Sequence, residues 1–232
     1  MAAAFSFGDS LGSSQSTGGK GLEGNKIHDV KFEGAVKERL ADQYEVLKLK
    51  FSNEDGTHEH AIFEPREEDF VRKNSEFPDR KTGKTVTIPN ASNVESMMLL
   101  FKHVIDAVDP ELGEKIDKKE FGLGGKNWDE LRDNMVKIFA RSVGAETSIK
   151  LINDNKGYGQ LPRYFTGVND EGKAYIKNNF VGKKLGFTPA ETNRMKTVAS
   201  AAPTAMTMDD PISADLPDDV GSLDMNFDVD SL

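Results

Sequence analysis

Cysteine is missing from all 232 residues, and its absence excludes disulfide frameworks, thiolate zinc sites and thiol nucleophiles. Any metal would have to rest on His and carboxylates. No run of about eighteen apolar residues offers a membrane span, and Met1–Gly24 carries one Lys and no apolar core, unlike a signal peptide. A soluble, cytoplasmic chain is expected. A phosphate loop is lacking as well. It needs a Gly five residues before its Gly-Lys pair, and Gly83-Lys84, Gly125-Lys126 and Gly19-Lys20 have Pro78, Glu120 and Ser14 there. No Gly-x-Ser-x-Gly elbow occurs. The sequence offers no catalytic residue and no cofactor motif, so a non-enzymatic role is expected.

What is present is charge, unevenly placed. Asp209 to Leu232 holds eight Asp and no Lys or Arg, so removing those charges from the net −9 leaves −1 for the remainder. Residues 1–25 are rich in Gly and Ser, and Phe5, Phe7 and Leu11 are too few large apolar groups to offset an ordering entropy of about 1–2 kcal/mol per residue. A disordered arm is expected there. Residues 197–232 run from Ala, Pro, Thr and Met into Asp, and read as a disordered linker and acidic tail. One folded domain remains, over 26–196.

Within it, Val30, Phe32 and Val36 share one parity with Lys31 and Glu33 between, the pattern of a half-buried strand, and Gly34 marks a bulge or bend. Leu47, Leu49 and Phe51 alternate with Lys48 and Lys50, and Asn53 to Gly56 supplies a turn before a third strand over His58 to Glu64. A polar loop with Pro78, Gly83 and Pro89 follows. Ser92 and Glu95 have capping-box spacing, and Val94, Met97, Met98, Phe101, Ile105 and Val108 form a helical stripe that Pro110 stops. A second helix begins at a cap on Asn127, carries Trp128, Leu131, Met135, Ile138 and Phe139, and closes at Gly144. Strands are then expected over Thr147–Asn153, Arg163–Thr166 and Ala174–Phe180. Three strands, helices, then two or three strands is the order of a five-stranded OB-type Greek-key barrel with helices between its third and fourth strands. The fold class is therefore mainly β with helical insertions, although the order alone also suits other α+β folds.

His58 and His60 lie two apart, which in a strand places both on one face, where a metal would need His28 or His103 as a third ligand. Without a tight ligand cluster elsewhere, no metal site is assigned. The stronger pattern interleaves bases with rings: a single strand is held by a positive groove and by aromatic platforms, each worth about 1–3 kcal/mol. Lys48, Lys50, Lys150, Lys156, Arg163 and Lys177 are the candidate phosphate contacts, and Tyr44, Tyr158, Tyr164, Phe165 and Tyr175 the candidate platforms. Arg163 and Phe165 share a parity that Tyr164 opposes, so one of Tyr164 and Phe165 is expected in the core.

Tyr44-Glu45-Val46-Leu47-Lys48-Leu49-Lys50-Phe51 and Glu146 to Phe165, with Lys156-Gly157-Tyr158-Gly159, resemble the single-stranded DNA-binding proteins of tailed bacteriophages. The layout of body, Pro-containing linker and acidic tip is similar to bacterial SSB. The resemblance covers about 26–185 and implies sequence-tolerant binding of single-stranded DNA in replication, recombination or repair, in the host cytoplasm for a phage protein. It also implies that the tip, with Asp218, Asp219, Asp224, Phe227, Asp228, Asp230 and Leu232, enters basic pockets on replication or recombination proteins. Many family tips end in Phe, whereas this one ends in Leu232 with Phe227 five residues earlier. A homo-oligomer is compatible with this reading; no membrane is implied. The alternative from another class is a structural or regulatory interaction module acting through its acidic tail.

Overall fold

The computed structural model describes residues 20–200, except Asp42, Arg80, Lys81, Asn155, Lys156, Arg163 and Tyr164. The expectations for the rest of the N-terminal arm and for 201–232 lie outside the described residues.

Alternation builds the sheet as expected. In β1 (Lys26–Leu40) His28, Val30 and Phe32 are buried while Asp29, Lys31 and Glu33 are exposed. Leu47, Leu49 and Phe51 of β2 (Tyr44–Asn53) and His58, His60 and Ile62 of β3 (Gly56–Phe63) join that inner face. Glu33 is one residue too many for the ladder, since Phe32 pairs with Phe51 and Gly34 with Lys50. Gly34 absorbs this bulge at φ +97°, a left-handed conformation that other residues adopt only at a cost. The bulge reverses the parity, so Ala35 is buried and Val36 is not, which corrects the expectation that Val36 continues the Val30–Phe32 face.

Because β1 bends there, it pairs on two sides. Lys31 to Leu40 zip antiparallel against β2, and Lys26 to Lys31 against β6 (Glu146–Asn153). The short β7 (Gly159–Gln160) then extends β6, giving a curled, five-stranded antiparallel half-barrel in the order β3-β2-β1-β6-β7. Four helices accompany it: α1 (Asn93–Val108), α2 (Pro110–Asp117), α3 (Trp128–Ala140) and α4 (Pro189–Ser200).

Both expected caps form. Glu95 N–H donates to Ser92 Oγ at 3.1 Å and Ser92 N–H to Glu95 Oε2 at 2.8 Å; Glu130 N–H donates to Asn127 Oδ1 at 2.9 Å. The stripes of α1 and α3 then meet the inner sheet face. Phe32 lies 5.2 Å from both Phe51 and Phe139, and Phe101 6.3 Å from Phe139, ring to ring. Each such ring contributes about 1.5–3 kcal/mol by leaving water.

Four local readings change. Pro110 does not merely end α1, because Asp109 caps a new helix by accepting from Leu112 N–H at 3.1 Å and Pro110 takes the first helical position, where its missing N–H costs nothing. The polar loop contains a hairpin, β4 (Asn74–Pro78) with β5 (Thr85–Pro89), exposed along nearly its whole length. A second small hairpin pairs β8 (Thr166–Val168) with β9 (Ala174–Ile176). The arm, finally, reaches the sheet. Thr57 N–H donates to Lys20 O at 3.0 Å, Leu22 N–H to Thr57 O at 3.1 Å, and Leu22 is core. Gly56 permits this approach, since a Cβ there would fall 2.1 Å from Lys20 O.

Polar residues also sit on the inner face. His58 and His60 are buried side by side, their Nε2 atoms without hydrogen-bond partners. Burial pushes the His58 imidazole down to about 3, with help from His60, and burial pushes His60 down to about 4. The unfolded chain binds these protons near 6.5, so the stability contributed by the neutral rings is complete above that pH and is lost as pH falls through the folded values. Urea titrations should show a loss on the order of 3 kcal/mol per imidazole by pH 4. In His58→Phe/His60→Leu the acid limb should flatten; an unchanged limb would place the titrating groups elsewhere.

Candidate nucleic-acid interface

The face opposite α1 and α3 carries a band of charged and polar side chains. Asp29, Lys31 and Glu33 of β1, Lys48, Lys50 and Ser52 of β2, Glu59 of β3, and Glu146, Ser148 and Lys150 of β6 have the outward parity. An open groove of about 830 Å³ lies on it, lined by Ile27, Asp29 and Lys31, by Ser52 to Asp55 in the β2–β3 turn, by Glu146 and Ser148, and by Lys183.

Register brings the strand lysines to this one face, and carboxylates meet them there. Lys48 Nζ lies 2.9 Å from Glu38 and 3.0 Å from Glu59, and Lys50 Nζ 2.9 Å from the other oxygen of Glu59. Burial pulls the Lys48 ammonium down, but its hydrogen bonds to Glu38 and Glu59 outweigh burial and hold it above its ordinary value. Burial likewise raises the Glu59 carboxyl, and the two lysines outweigh that and hold it low. Lys48 is 3% exposed and Lys150 is 1% exposed, the latter paired with Glu191 at 2.9 Å. The expected free phosphate contacts at Lys48 and Lys150 are therefore revised, because both amines already have internal anionic partners. Lys50 keeps a third of its side chain in solvent.

The rings divide as well. Phe165 is core, packed edge-on to Phe180 at 4.9 Å, which removes it from the candidate platforms. Tyr44 is exposed at the start of β2, 6.2 Å from the Phe63 ring. Tyr158 is exposed in the β6–β7 turn, where its N–H donates to Asp154 Oδ1 at 2.9 Å. Tyr175 is exposed on β9, its ring lying over Gly167, whose added Cβ would meet Tyr175 Cε1 at 3.1 Å. Lys177 is exposed just beyond β9. Lys156, Arg163 and Tyr164, and Asp218, Asp219, Asp224, Phe227, Asp228, Asp230 and Leu232, lie outside the described residues.

Sequence reasoning missed Lys31 as a groove residue, for which its outward parity was the available signal; Lys183, one of the basic residues in the last third of the body, does line the groove. Of the other histidines, His28 Nε2 sits 2.7 Å from Glu23 O and the His103 ring 4.8 Å from that of Phe180. Among the described residues no group of three or more His, Asp or Glu has metal-holding geometry.

The Glu38–Lys48–Glu59–Lys50 chain makes a stability statement that chemical denaturation can check. Glu59→Ala should cost about 1–3 kcal/mol at neutral pH, because Lys48 stays buried with one partner fewer. Lys37→Ala, which removes an exposed pair with Asp133, should cost under about 1 kcal/mol. Equal effects would mean that burial adds nothing to the chain.

No protein-family model, curated protein or solved structure matches this chain.

Proposed function

We propose that this protein binds single-stranded DNA in a sequence-tolerant way, without catalysis, on an OB-type barrel, and that its acidic C-terminal segment recruits replication or recombination proteins. The observation that carries the reading is the strand order β3-β2-β1-β6-β7, with a bent first strand shared between both halves and α1 to α3 between β3 and β6. This order suits an OB Greek key, a fold whose strands and connecting loops hold oligonucleotides. Exposed Tyr44, Tyr158 and Tyr175 and exposed Lys177 and Lys183 supply ring faces and cations on the body, Lys183 among them lining the groove. The resemblance to phage single-stranded DNA-binding proteins points the same way, and would place the protein in the host cytoplasm.

A second reading, a protein-interaction module, draws on the β4–β5 hairpin. Phe77, Val86 and Ile88 share one face of that ribbon and are all exposed, as a partner-binding surface would be.

Oligonucleotide binding against salt separates the two. Counterion release should make log affinity fall linearly with log salt, by about 0.7 per phosphate neutralised. Lys177→Ala with Lys183→Ala should weaken binding to all base sequences alike and reduce that slope. Tyr158→Ala and Tyr175→Ala should each cost about 1–3 kcal/mol of affinity while leaving the thermal midpoint nearly unchanged. Absence of binding at low salt would sink the DNA reading and favour the interaction module. Truncation after Met208 should abolish capture of replication or recombination proteins, and Phe227→Ala should weaken it; undiminished capture would remove the tail's role.

A further inference from the structure

Lys150 has outward parity yet is among the least exposed side chains of the protein. Ile149 and Leu151 on either side are core, and its cross-strand neighbour Ile27 is exposed, so solvent would reach Lys150 were nothing laid over it. The cover is the chain beyond Phe180. Lys150 N–H donates to Phe180 O at 2.8 Å, Val181 bridges to Ile149, and the chain then turns back across the sheet. Gly186 O accepts from Lys150 Nζ at 3.0 Å and Glu191 Oε2 from the same amine at 2.9 Å.

Glu191 sits in the first turn of α4, and α4 is unlike the other helices. Over Pro189–Lys196, the part of the helix whose side chains are described, the one buried residue is Glu191, while Pro189, Ala190, Asn193 and Lys196 are exposed and Thr192, Arg194 and Met195 half-buried. Among those residues no apolar stripe attaches it to the body. Thr188 and Glu191 form a capping box, Glu191 N–H donating to Thr188 Oγ1 at 3.2 Å and Thr188 N–H to Glu191 Oε2 at 2.8 Å. Glu191 Oε1 is buried without a hydrogen-bond partner. Among the described side chains of the helix the buried anchor is thus one carboxylate that is only half satisfied, with the Phe187 ring 5.9 Å from the same amine, beside the groove that Ser148 and Lys183 line.

We infer that Lys150 marks a phosphate subsite that Glu191 plugs, and that a single strand entering the groove displaces α4 by putting a backbone phosphate in the place of the carboxylate. This rests on the DNA-binding reading and adds its regulation. The exchange keeps an anion against the Lys150 ammonium, so no unpaired charge stays buried. The displaced Glu191 returns to water, where its orphan oxygen regains hydration, and residues 189–196 of α4 give up no buried apolar face. Affinity in the resting protein is accordingly lower than the groove can deliver, by the cost of unfastening one ion pair.

Glu191→Gln tests this, because Gln keeps the capping capacity and loses the charge. With an oligo(dT) probe the variant should bind several-fold more tightly at low salt, with a salt slope steeper by about 0.7, and Lys150→Met in the same chain should erase both gains. Hydrogen exchange on the unaltered protein supplies an arm that needs no variant: the amides of α4 should exchange faster once oligo(dT) is bound. Unchanged exchange in α4, or a Glu191→Gln protein that binds no better than the parent, would overturn the plug while leaving DNA binding intact. A parent protein that binds no oligo(dT) at all would instead overturn the DNA reading, and the plug with it.

Discussion

One backbone irregularity governs the architecture. β1 is long enough to serve two partners, but a straight strand would hold β2 and β6 in one flat sheet with both faces open. The extra residue at Glu33, absorbed by the positive φ of Gly34, turns the second half of the strand and reverses its parity. From this follow the curl of the sheet and the burial of Ala35 in place of Val36. A flat sheet could not wrap Phe32, Phe51, Phe101 and Phe139 into one cluster.

The charge on that outer face is organised as pairs rather than as a field. Glu59 bridges two lysines of the neighbouring strand, and Glu191 closes on a third from a helix forty-one residues further along. Paired ammonium groups attract distant phosphates weakly, because each pair is nearly neutral beyond a few ångströms. On the DNA-binding reading, long-range steering would fall to cations such as Lys177 and Lys183, which have no anionic partner among the described residues.

How much of this could be read from the sequence depended on the range of the interaction. Local signals were legible: both caps, the turn at Asn53–Gly56, the bulge at Gly34 and the outward parity of Lys48, Lys50 and Lys150 each involve a few neighbouring residues. Partners were not, since nothing in Lys150 names Glu191, and only the strand register of β2 and β3 sets Glu59 between Lys48 and Lys50. Pro78 and Pro89 read as breakers, yet each closes a strand of an isolated ribbon, a place where a missing N–H is tolerated. Leu22 was lost inside a Gly/Ser-rich average, although its own burial is what brings the arm to the sheet.

The crossing of Lys20 to Leu22 at the start of β3 bears on how the molecule behaves in a crowd. β3 is an outer strand of the sheet, and an uncovered outer strand offers its free N–H and C=O groups to any similar edge that drifts past. Here the arm takes up Thr57 N–H and O, and Leu22 seals the apolar end behind them. Leu22 closes the core while the backbone of Lys20 to Leu22 guards the edge, so a protease that clipped the chain near Asn25 would free a sticky margin open to sheet-to-sheet association.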